Sequence, residues 1–221
     1  VFTENTSDFY GGALALDGTP TVLIGNRFVS NVASDAGGGM LVGGSSTVTN
    51  YRNLWCENTS DFGGATYLLP NVNLTAKNDI YMLNEALTSG GAYSLDTVDA
   101  TLVNNHFIGN EALADGSGSV YANEATRFEF VNNLVTDGTT SLIVSASTGL
   151  SYSNVDYNHW FESDTSLDAS ITVGANNGQS GEPVLVNPYP YWTPGSTYAD
   201  LNFSPLHLPD FEDNQSSDGD G

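Results

Sequence analysis

One short phrase recurs along the chain at a nearly constant interval. It consists of an aromatic residue, two variable residues, an asparagine, a short gap and a pair of small residues, usually glycines. The aromatic residues of the five copies are Phe2, Phe28, Trp55, Tyr81 and Phe107. The asparagines that follow them are Asn5, Asn31, Asn58, Asn84 and Asn110, spaced 26, 27, 26 and 26 residues apart. Self-similarity at a fixed period in the twenties predicts a solenoid of stacked coils.

Each repeat contains three short runs of β-forming residues, bounded by Gly, Asn, Asp and Ser. In the second copy these runs are residues 27–29, 40–42 and 46–49. No apolar stripe with a helical period appears anywhere. The period is also too short for the four strands of a propeller blade. The runs therefore predict strands that coil and pair in parallel with the coils above and below, at a spacing of about 4.8 Å.

Direct stacking gives each repeated residue type a physical role. The aromatic residues are expected to form one column inside the coil, where stacked rings add to area burial. The asparagines are expected to form a ladder in which each side-chain amide donates to the carbonyl of the next. We expect these asparagines to occupy a turn with left-handed backbone, which Asn tolerates. The glycine pair is expected to supply positive φ. Both columns are predicted to be structural.

The alternation of F-x-x-N with G-G-A-(I/L) resembles the repeat of the chlamydial polymorphic membrane proteins and, more widely, that of bacterial right-handed parallel β-helix proteins. The resemblance covers about residues 1–145. It implies an all-β fold, a right-handed single-stranded parallel β-helix (solenoid) of about five to six coils with an irregular C-terminal capping segment. Two copies depart from the pattern. Ser117 replaces the first glycine of the fifth, and a sixth, residues 134–137, has Leu134 and Asp137 in place of the aromatic residue and the asparagine.

The repeat period fades after about Ala146. The sequence therefore predicts parallel β-helix repeats over residues 1–148, an irregular cap packed on the coil over 149–212, and an acidic Gly/Ser/Asp tail over 213–221. An open coil end exposes unpaired strand edges, and terminal repeats of solenoids act as caps. The aromatic residues predicted to cover that end are Trp160, Tyr189, Tyr191 and Trp192. A carbohydrate-binding face built from the same side chains is the alternative.

The charge is strongly acidic, with 26 acidic residues against 4 basic ones and a formal net charge of -22. Nucleic acid is therefore excluded as a partner, because phosphate binding needs Lys and Arg. An anionic membrane surface is excluded for the same reason. No apolar stretch is long enough to predict a membrane span in this chain. The single cysteine, Cys56, rules out an intrachain disulfide; we expect a small apolar filler, with an intermolecular bridge as the alternative.

Two acidic patterns suggest calcium, the one cofactor that the sequence raises. The C-terminal run Ser216-Ser217-Asp218-Gly219-Asp220-Gly221 resembles the start of a D-x-D-x-D-G loop, with Ser216, Asp218 and Asp220 as ligands. Ser216 stands where the first Asp belongs and no bidentate Glu follows, so an acidic linker is the alternative. The second pattern is an acidic row before the glycine pairs: Asp8, Asp35, Asp61 and Asp115. It predicts either bound calcium or a solvated edge.

An enzyme of the β-helix class is the main alternative to a binding module. Pectate lyases use carboxylates that hold calcium with an Arg or Lys base, and polygalacturonases use paired aspartates with G-H-G and R-x-K motifs. This chain has no Asp-Asp pair, no G-H-G and no R-x-K. The basic residues, at different positions of the repeat, are Arg27, Arg52, Lys77 and Arg127. The histidines, which lack metal-ligand spacing, are His106, His159 and His207. We therefore predict no catalytic residues.

The sequence thus favours a secreted or cell-surface structural or adhesin-like β-helix module, bacterial in style. Its expected partners are a surface glycan or protein, or a second copy of the chain in an end-to-end fibre. A carbohydrate-active β-helix enzyme, either a polysaccharide lyase or a glycoside hydrolase, is kept as the alternative function.

Overall fold

The computed structural model describes residues 1–114, 117–136, 140–160 and 164–177. All regular secondary structure in these residues is β-strand, and the strands pair in parallel with their equivalents in neighbouring coils. They form four parallel sheets that wind as a solenoid of about six coils. The predicted all-β parallel β-helix is confirmed.

Strands are numbered β1 to β25 in chain order, and the sheets are named A to D. Sheet A contains β1 (Phe2–Thr3), β5 (Arg27–Val29), β9 (Leu54–Cys56), β13 (Ile80–Met82), β17 (His106–Ile108), β21 (Leu134–Thr136) and β24 (His159–Trp160). Sheet B contains β2 (Thr6–Ser7), β6 (Val32–Ala33), β10 (Thr59–Phe62), β14 (Glu85–Ser89) and β18 (Glu111–Ala112). Sheet C contains β3 (Leu14–Asp17), β7 (Met40–Gly43), β11 (Thr66–Leu68), β15 (Tyr93–Asp96), β19 (Val120–Ala125), β22 (Thr140–Ala146) and β25 (Asp164–Leu167). Sheet D contains β4 (Thr21–Ile24), β8 (Thr47–Tyr51), β12 (Asn73–Lys77), β16 (Asp99–Val103), β20 (Arg127–Val131) and β23 (Tyr152–Asp156).

Most coils have four strands, so the prediction of three strands per repeat is wrong. The strands that the sequence failed to indicate are those of sheet B, which directly follow the ladder asparagines. Three of the five, for example Val32–Ala33, are only two residues long. Such short segments, many of them polar, carry no alternation of apolar and polar residues that would predict a strand.

Parallel pairing continues beyond the point where the sequence period fades. Tyr152–Asp156 pairs with Arg127–Val131, and His159–Trp160 pairs with Leu134–Thr136. No change in pairing therefore marks the boundary predicted at residue 148. Most of the predicted cap and the whole of the predicted tail lie outside the described residues.

The sixth copy of the repeat is aligned differently from the prediction. Val135, not Leu134, lies opposite Phe107 of the preceding coil. The shift arises at the turn between sheets C and D, because Asp96 pairs with Asn123 whereas Asp99 pairs with Arg127. The turn of this coil therefore holds one residue more than the turn before it.

The corners of the coil depend on left-handed residues next to the asparagines. The residues immediately before the ladder asparagines have φ between 52° and 58°: Glu4, Ser30, Glu57, Leu83 and Gly109. The asparagines themselves do not have positive φ, so the expectation of a left-handed Asn is wrong. The preceding residue makes the turn, which leaves the asparagine side chain free to point along the stack.

The two glycines of each pair do different work. The first has positive φ in three copies, for example 62° at Gly63 and 65° at Gly90. In the second copy the glycine with positive φ is Gly37, at 68°, which precedes the predicted pair Gly38-Gly39. The second is needed for close stacking of the coils. A Cβ atom on Gly64 would lie well inside van der Waals contact with the backbone oxygens of Gly91 and Glu85. This corner therefore admits no side chain at the second position.

We predict that Gly64→Ala lowers the free energy of unfolding by about 1–3 kcal/mol, because the added methyl group meets rigid backbone. Gly149→Ala serves as the control, since a Cβ there approaches only the hydroxyl oxygen of Ser147, at 3.7 Å. Urea unfolding of both variants checks this. Equal unfolding midpoints would contradict the requirement for close approach at the glycine corner.

Candidate functional site

The five predicted ladder asparagines lie one above another and are joined by hydrogen bonds. The Asn31 Nδ2 donates to Asn58 Oδ1 at 2.9 Å, and the Asn58 Nδ2 donates to Asn84 Oδ1 at 2.9 Å. The same contact links Asn5 to Asn31 and Asn84 to Asn110, at 2.8 and 2.9 Å. The backbone N–H of each donor residue also binds that oxygen, at 3.0 or 3.1 Å.

The second amide hydrogen of each internal rung is used as well. The Asn58 Nδ2 donates to the backbone oxygen of Phe28 at 3.0 Å, and the Asn84 Nδ2 donates to that of Trp55 at 3.0 Å. An asparagine side chain offers two donors and two acceptor sites. All four are occupied at these rungs, so the internal rungs have no hydrogen-bonding capacity left for a ligand.

The five predicted aromatic residues also form one column. Phe2 and Phe28 have ring centroids 4.6 Å apart, and Phe28 and Trp55 have centroids 3.9 Å apart. Trp55 to Tyr81 is 6.1 Å and Tyr81 to Phe107 is 5.0 Å, with interplanar angles of 6° and 13°. The four rings from Phe28 to Phe107 are fully buried. This column packs the interior of the coil and is not accessible to a ligand.

A second ladder, which the sequence analysis missed, lies at the corner between sheets D and A. Its rungs are Asn26, Asn53, Asp79, Asn105, Asn133, Asn158 and Asn177. The signal was present in the sequence, because an Asn or Asp stands two residues before each aromatic residue from Phe28 to Phe107. Here too the residue before the rung has positive φ, for example Arg52 at 55° and Asn78 at 57°.

Asp79 is the exceptional rung, since its carboxyl group lacks the N–H donors of an asparagine side chain. The Asn53 and Asn105 Nδ2 groups donate to the backbone oxygens of Leu23 and Ala76. In its ionised form Asp79 only accepts: its Oδ1 from Asn53, and its Oδ2 from the Tyr81 hydroxyl at 3.0 Å. Burial raises the pKa of Asp79 to about 7, although the hydrogen bonds from Asn53 and Tyr81 act in the opposite direction.

A short buried network continues from Asp79. The Tyr81 hydroxyl forms a short hydrogen bond with the Tyr93 hydroxyl, and Asn50 Nδ2 donates to the Tyr93 hydroxyl at 3.2 Å. All four side chains are fully buried. This polar network therefore lies inside the coil, where it can affect stability but cannot meet a ligand.

Other potentially reactive side chains are buried as well. Burial, with a smaller contribution from Glu57, raises the pKa of the Cys56 thiol to about 12. Burial lowers the pKa of His106 to about 3, so its imidazole is neutral at physiological pH. Cys56 is a free, buried cysteine, as expected of a filler residue. Neither side chain is placed to act on a molecule in solution.

The predicted acidic row is only partly in register. The bridge between Ala36 and Phe62 places Asp35 and Asp61 at equivalent positions, whereas the bridge between Tyr10 and Ala36 places Phe9, not Asp8, next in line. Asp115 lies outside the described residues. No group of three or more His, Cys, Asp or Glu suited to a metal ion occurs in the part of the chain that the structure describes. Calcium binding stays a prediction.

Several other predicted residues lie outside the described residues. They are Tyr189, Tyr191 and Trp192 of the proposed cap, the calcium candidates Ser216, Asp218 and Asp220, and His207. Trp160 is described: it is buried in β24 and stacks on Phe130 with ring centroids 5.5 Å apart. It extends the packed interior of the coil.

The basic residues sit at three different places of the coil. Arg27 begins a strand of sheet A, Arg127 begins a strand of sheet D, and Arg52 and Lys77 lie near the ends of sheet D strands. Arg127 forms a 3.2 Å ion pair with Glu129 and lies over the ring of Tyr152. The four basic residues therefore do not form one basic patch.

The accessible outer surface is uneven among the sheets. Strands β9, β13 and β17 of sheet A are buried at every residue, whereas strands of sheets B, C and D have outward residues that are exposed or half-buried. A ligand can therefore reach sheets B, C and D. Two depressions lie at the outer corner between sheets B and C.

Two adjoining depressions at this corner form what we call the aromatic groove. The first, of ≈ 330 Å³, is lined by Tyr10, Asp35, Ala36, Leu41, Phe62, Tyr67 and Leu69. The second, of ≈ 250 Å³, is lined by Phe62, Tyr67, Thr88, Ser89, Ser94, Leu95, Asp96, Tyr121 and Asn123. Phe62 and Tyr67 are shared by both, with ring centroids 6.2 Å apart. The groove thus runs across several coils.

The register of the sheet C strands explains the shape of the groove. The outward position of sheet C carries Leu41, Tyr67, Ser94 and Tyr121 on successive coils. The small Ser94 between two tyrosines leaves a gap between their rings. The glycine corner beside it adds no side chains to fill the depression.

The electrostatic surroundings of the groove are acidic. Asp35 and Asp96 line it, and burial followed by the charges of Asp96 and Asp35 raises the pKa of Tyr67. The Asp96 Oδ1 accepts hydrogen bonds from Thr97 at 3.1 Å and from Asn123 at 3.2 Å, which orient this carboxylate. The groove therefore presents aromatic rings together with acceptor-rich polar groups.

Comparison with protein-family models, with curated proteins and with solved structures finds no match to this chain. Among the described residues, no helix has the length and apolar character needed to cross a membrane.

We predict that Asp79→Asn removes a pH dependence from the stability of the protein. The folded-state pKa of Asp79 lies above its ordinary value of 3.8. Between about pH 4 and pH 7 the folded state therefore keeps a proton on Asp79 that the unfolded state has released. The contribution of Asp79 to the free energy of unfolding is highest at about pH 4 and below, and it falls as the pH rises through about 7. The substitution should raise the free energy of unfolding by about 2–4 kcal/mol at pH 8 and by much less at pH 4.

Urea unfolding of both proteins across this pH range checks the prediction, and His106, being present in both, cancels from the comparison. Asn105→Asp is the matched control. It places a carboxylate on a buried rung of the same ladder and should destabilise the fold more at pH 8 than at pH 4. Parallel pH profiles for wild type and Asp79→Asn would contradict the role assigned to the Asp79 carboxylate.

Proposed function

We propose that this chain is a structural, adhesin-like β-helix module that acts outside the cell or at its surface and binds a ligand in the aromatic groove. The resemblance of its repeat to that of the chlamydial polymorphic membrane proteins supports the surface setting. The parallel coil supplies a stiff support, and the groove supplies the place at which recognition occurs.

The observation that carries this proposal is the division between interior and exterior. Asp79, His106 and Cys56, whose pKa values burial shifts strongly, are enclosed in the packed coil and cannot meet a ligand. The groove instead exposes aromatic side chains, among them Tyr10, which is 51% exposed. Aromatic surface with a few placed polar groups is typical of a binding site.

The negative charge of the protein limits the chemical classes of ligand that can bind in the groove. The net charge of -22 and the carboxylates of Asp35 and Asp96 repel nucleic acids and other polyanions. A neutral or cationic ligand fits this surface. Polysaccharide cleavage remains the alternative function, and end-to-end assembly into a fibre remains a prediction.

We predict that the purified protein binds saturably to cells or extracellular matrix and that Tyr67→Ala combined with Tyr121→Ala weakens this binding about tenfold or more. The expected loss follows from removing the two largest outward side chains of sheet C in the groove. Tyr157→Ala is the matched control, since Tyr157 is an exposed tyrosine outside the groove.

Binding should be measured with labelled protein, after confirming that the variants unfold at the same temperature as wild type. Retained binding by the double variant would contradict the proposal that the groove is the binding site. Release of shortened products from a panel of polysaccharides would favour the enzymatic alternative instead.

A further inference from the structure

We propose that the ligand of the aromatic groove is a neutral glycan chain that lies across successive coils, parallel to the axis of the solenoid. This inference rests on the proposed function, because it names the chemical class of the ligand for the same groove. Three features of the groove support it: the spacing of its rings, the nature of its polar groups, and the lack of free backbone for a peptide.

Two tyrosine rings of the groove lie at a defined spacing along the axis of the solenoid. Tyr67 and Tyr121 occupy the same outward position of sheet C, two coils apart, with Ser94 between them. At the strand spacing of a parallel sheet, their Cα atoms are about 10 Å apart. A pyranose ring linked at both ends is about as long as one coil step, so a glycan can place alternate sugars on the two tyrosines.

The rings suit the apolar faces of sugars. The face of an aromatic ring carries negative charge density. The C–H bonds on one face of a pyranose are weakly positive, so they pack favourably against it. Phe62 contacts Tyr67 and extends the same apolar surface toward sheet B. This arrangement favours a ligand with repeated apolar faces along its length.

The polar side chains of the groove can accept hydrogen bonds from sugar hydroxyls and repel the carboxylates of acidic sugars. Asp35, Asp96 and Asn123 line the groove beside the rings. Carboxylates are acceptors only, and sugar hydroxyls are donors that match them. No Lys or Arg is among the described residues that line either depression. A uronic acid polymer would therefore meet like charge without a compensating cation, whereas a neutral glycan meets no repulsion.

The backbone at the groove disfavours an extended peptide. Peptides that bind to sheets usually add a strand to an open edge through main-chain hydrogen bonds. Here the strands are paired in the axial direction, and the Gly63 and Gly64 amides beside the groove donate to the Ser89 and Gly90 oxygens. A peptide would have to bind by side chains alone.

The test measures affinity by calorimetry for four probes: neutral oligosaccharides of increasing length, uronic acid oligomers, a lysine-rich peptide and an uncharged peptide. We expect affinity for one or more neutral oligosaccharides to rise with length until the chain spans both tyrosines. Tyr67→Ala or Tyr121→Ala should weaken that affinity about tenfold. Tyr67→Phe and Tyr121→Phe, which keep the ring, should stay within about threefold of wild type, as should Tyr157→Ala.

Each other outcome overturns the inference. Tighter binding of uronic acid oligomers or of either peptide would assign the groove to another ligand class. If Tyr67→Ala and Tyr121→Ala bind neutral glycans with the affinity of wild type, the glycan binds outside the aromatic groove. If those variants abolish cell binding while no neutral oligosaccharide binds or competes, the glycan inference fails and the groove remains the binding site. If cell binding is unaffected by them, the proposed function itself fails.

Discussion

The hydrogen bonds of the asparagine ladders are the constraint on which the rest of the structure depends. Each internal rung reaches in both directions: Asn58 Nδ2 binds Asn84 of the next coil and the backbone oxygen of Phe28 of the preceding one. Shifting a coil by one residue would break all these bonds at once and leave buried amides unpaired, which is costly in a packed interior. The ladders therefore fix the register of the coils.

A fixed register determines what each face of the coil can be. Because position stacks on position, an aromatic residue on the inside meets another aromatic residue, and a glycine at the corner meets the backbone of the next coil. The interior is thereby restricted to a few residue types at each position. The outward positions carry no such restriction, so they can vary from coil to coil while the fold stays the same. Sheet C shows this directly, with Leu41, Tyr67, Ser94 and Tyr121 in one column.

The same contrast explains how much the sequence could predict. The aromatic residues and the first set of asparagines recur at 26 or 27 residues, so the solenoid and its columns were predictable from spacing alone. The second ladder was missed because Asp79 interrupts it and because its later rungs are unevenly spaced. The shift at Val135 was missed because one extra residue in a polar turn leaves no mark in a pattern of apolar residues.

The left-handed residues of the corners were assigned wrongly for a related reason. Asparagine tolerates positive φ, but here its side chain is needed along the stack, so the turn falls on the residue before it. That residue is Glu57 at one corner and Leu83 at the next. Their diversity shows that the turn is imposed by the ladder bonds that follow it and not by the intrinsic preference of the residue that adopts it.

The groove could not be predicted from the sequence, because the residues that form it do not repeat. A search for periodicity finds residues that repeat, whereas Tyr67, Ser94 and Tyr121 are informative because they differ. Once the ladders fix the register, two non-repeating tyrosines and a small residue between them become a surface with a defined spacing. A solenoid of this kind can acquire or change a binding specificity by substitutions that touch neither the ladders nor the aromatic column. Under the proposed function, recognition and stability depend on separate sets of residues, because the ladders and the aromatic column hold the outward side chains at a fixed spacing.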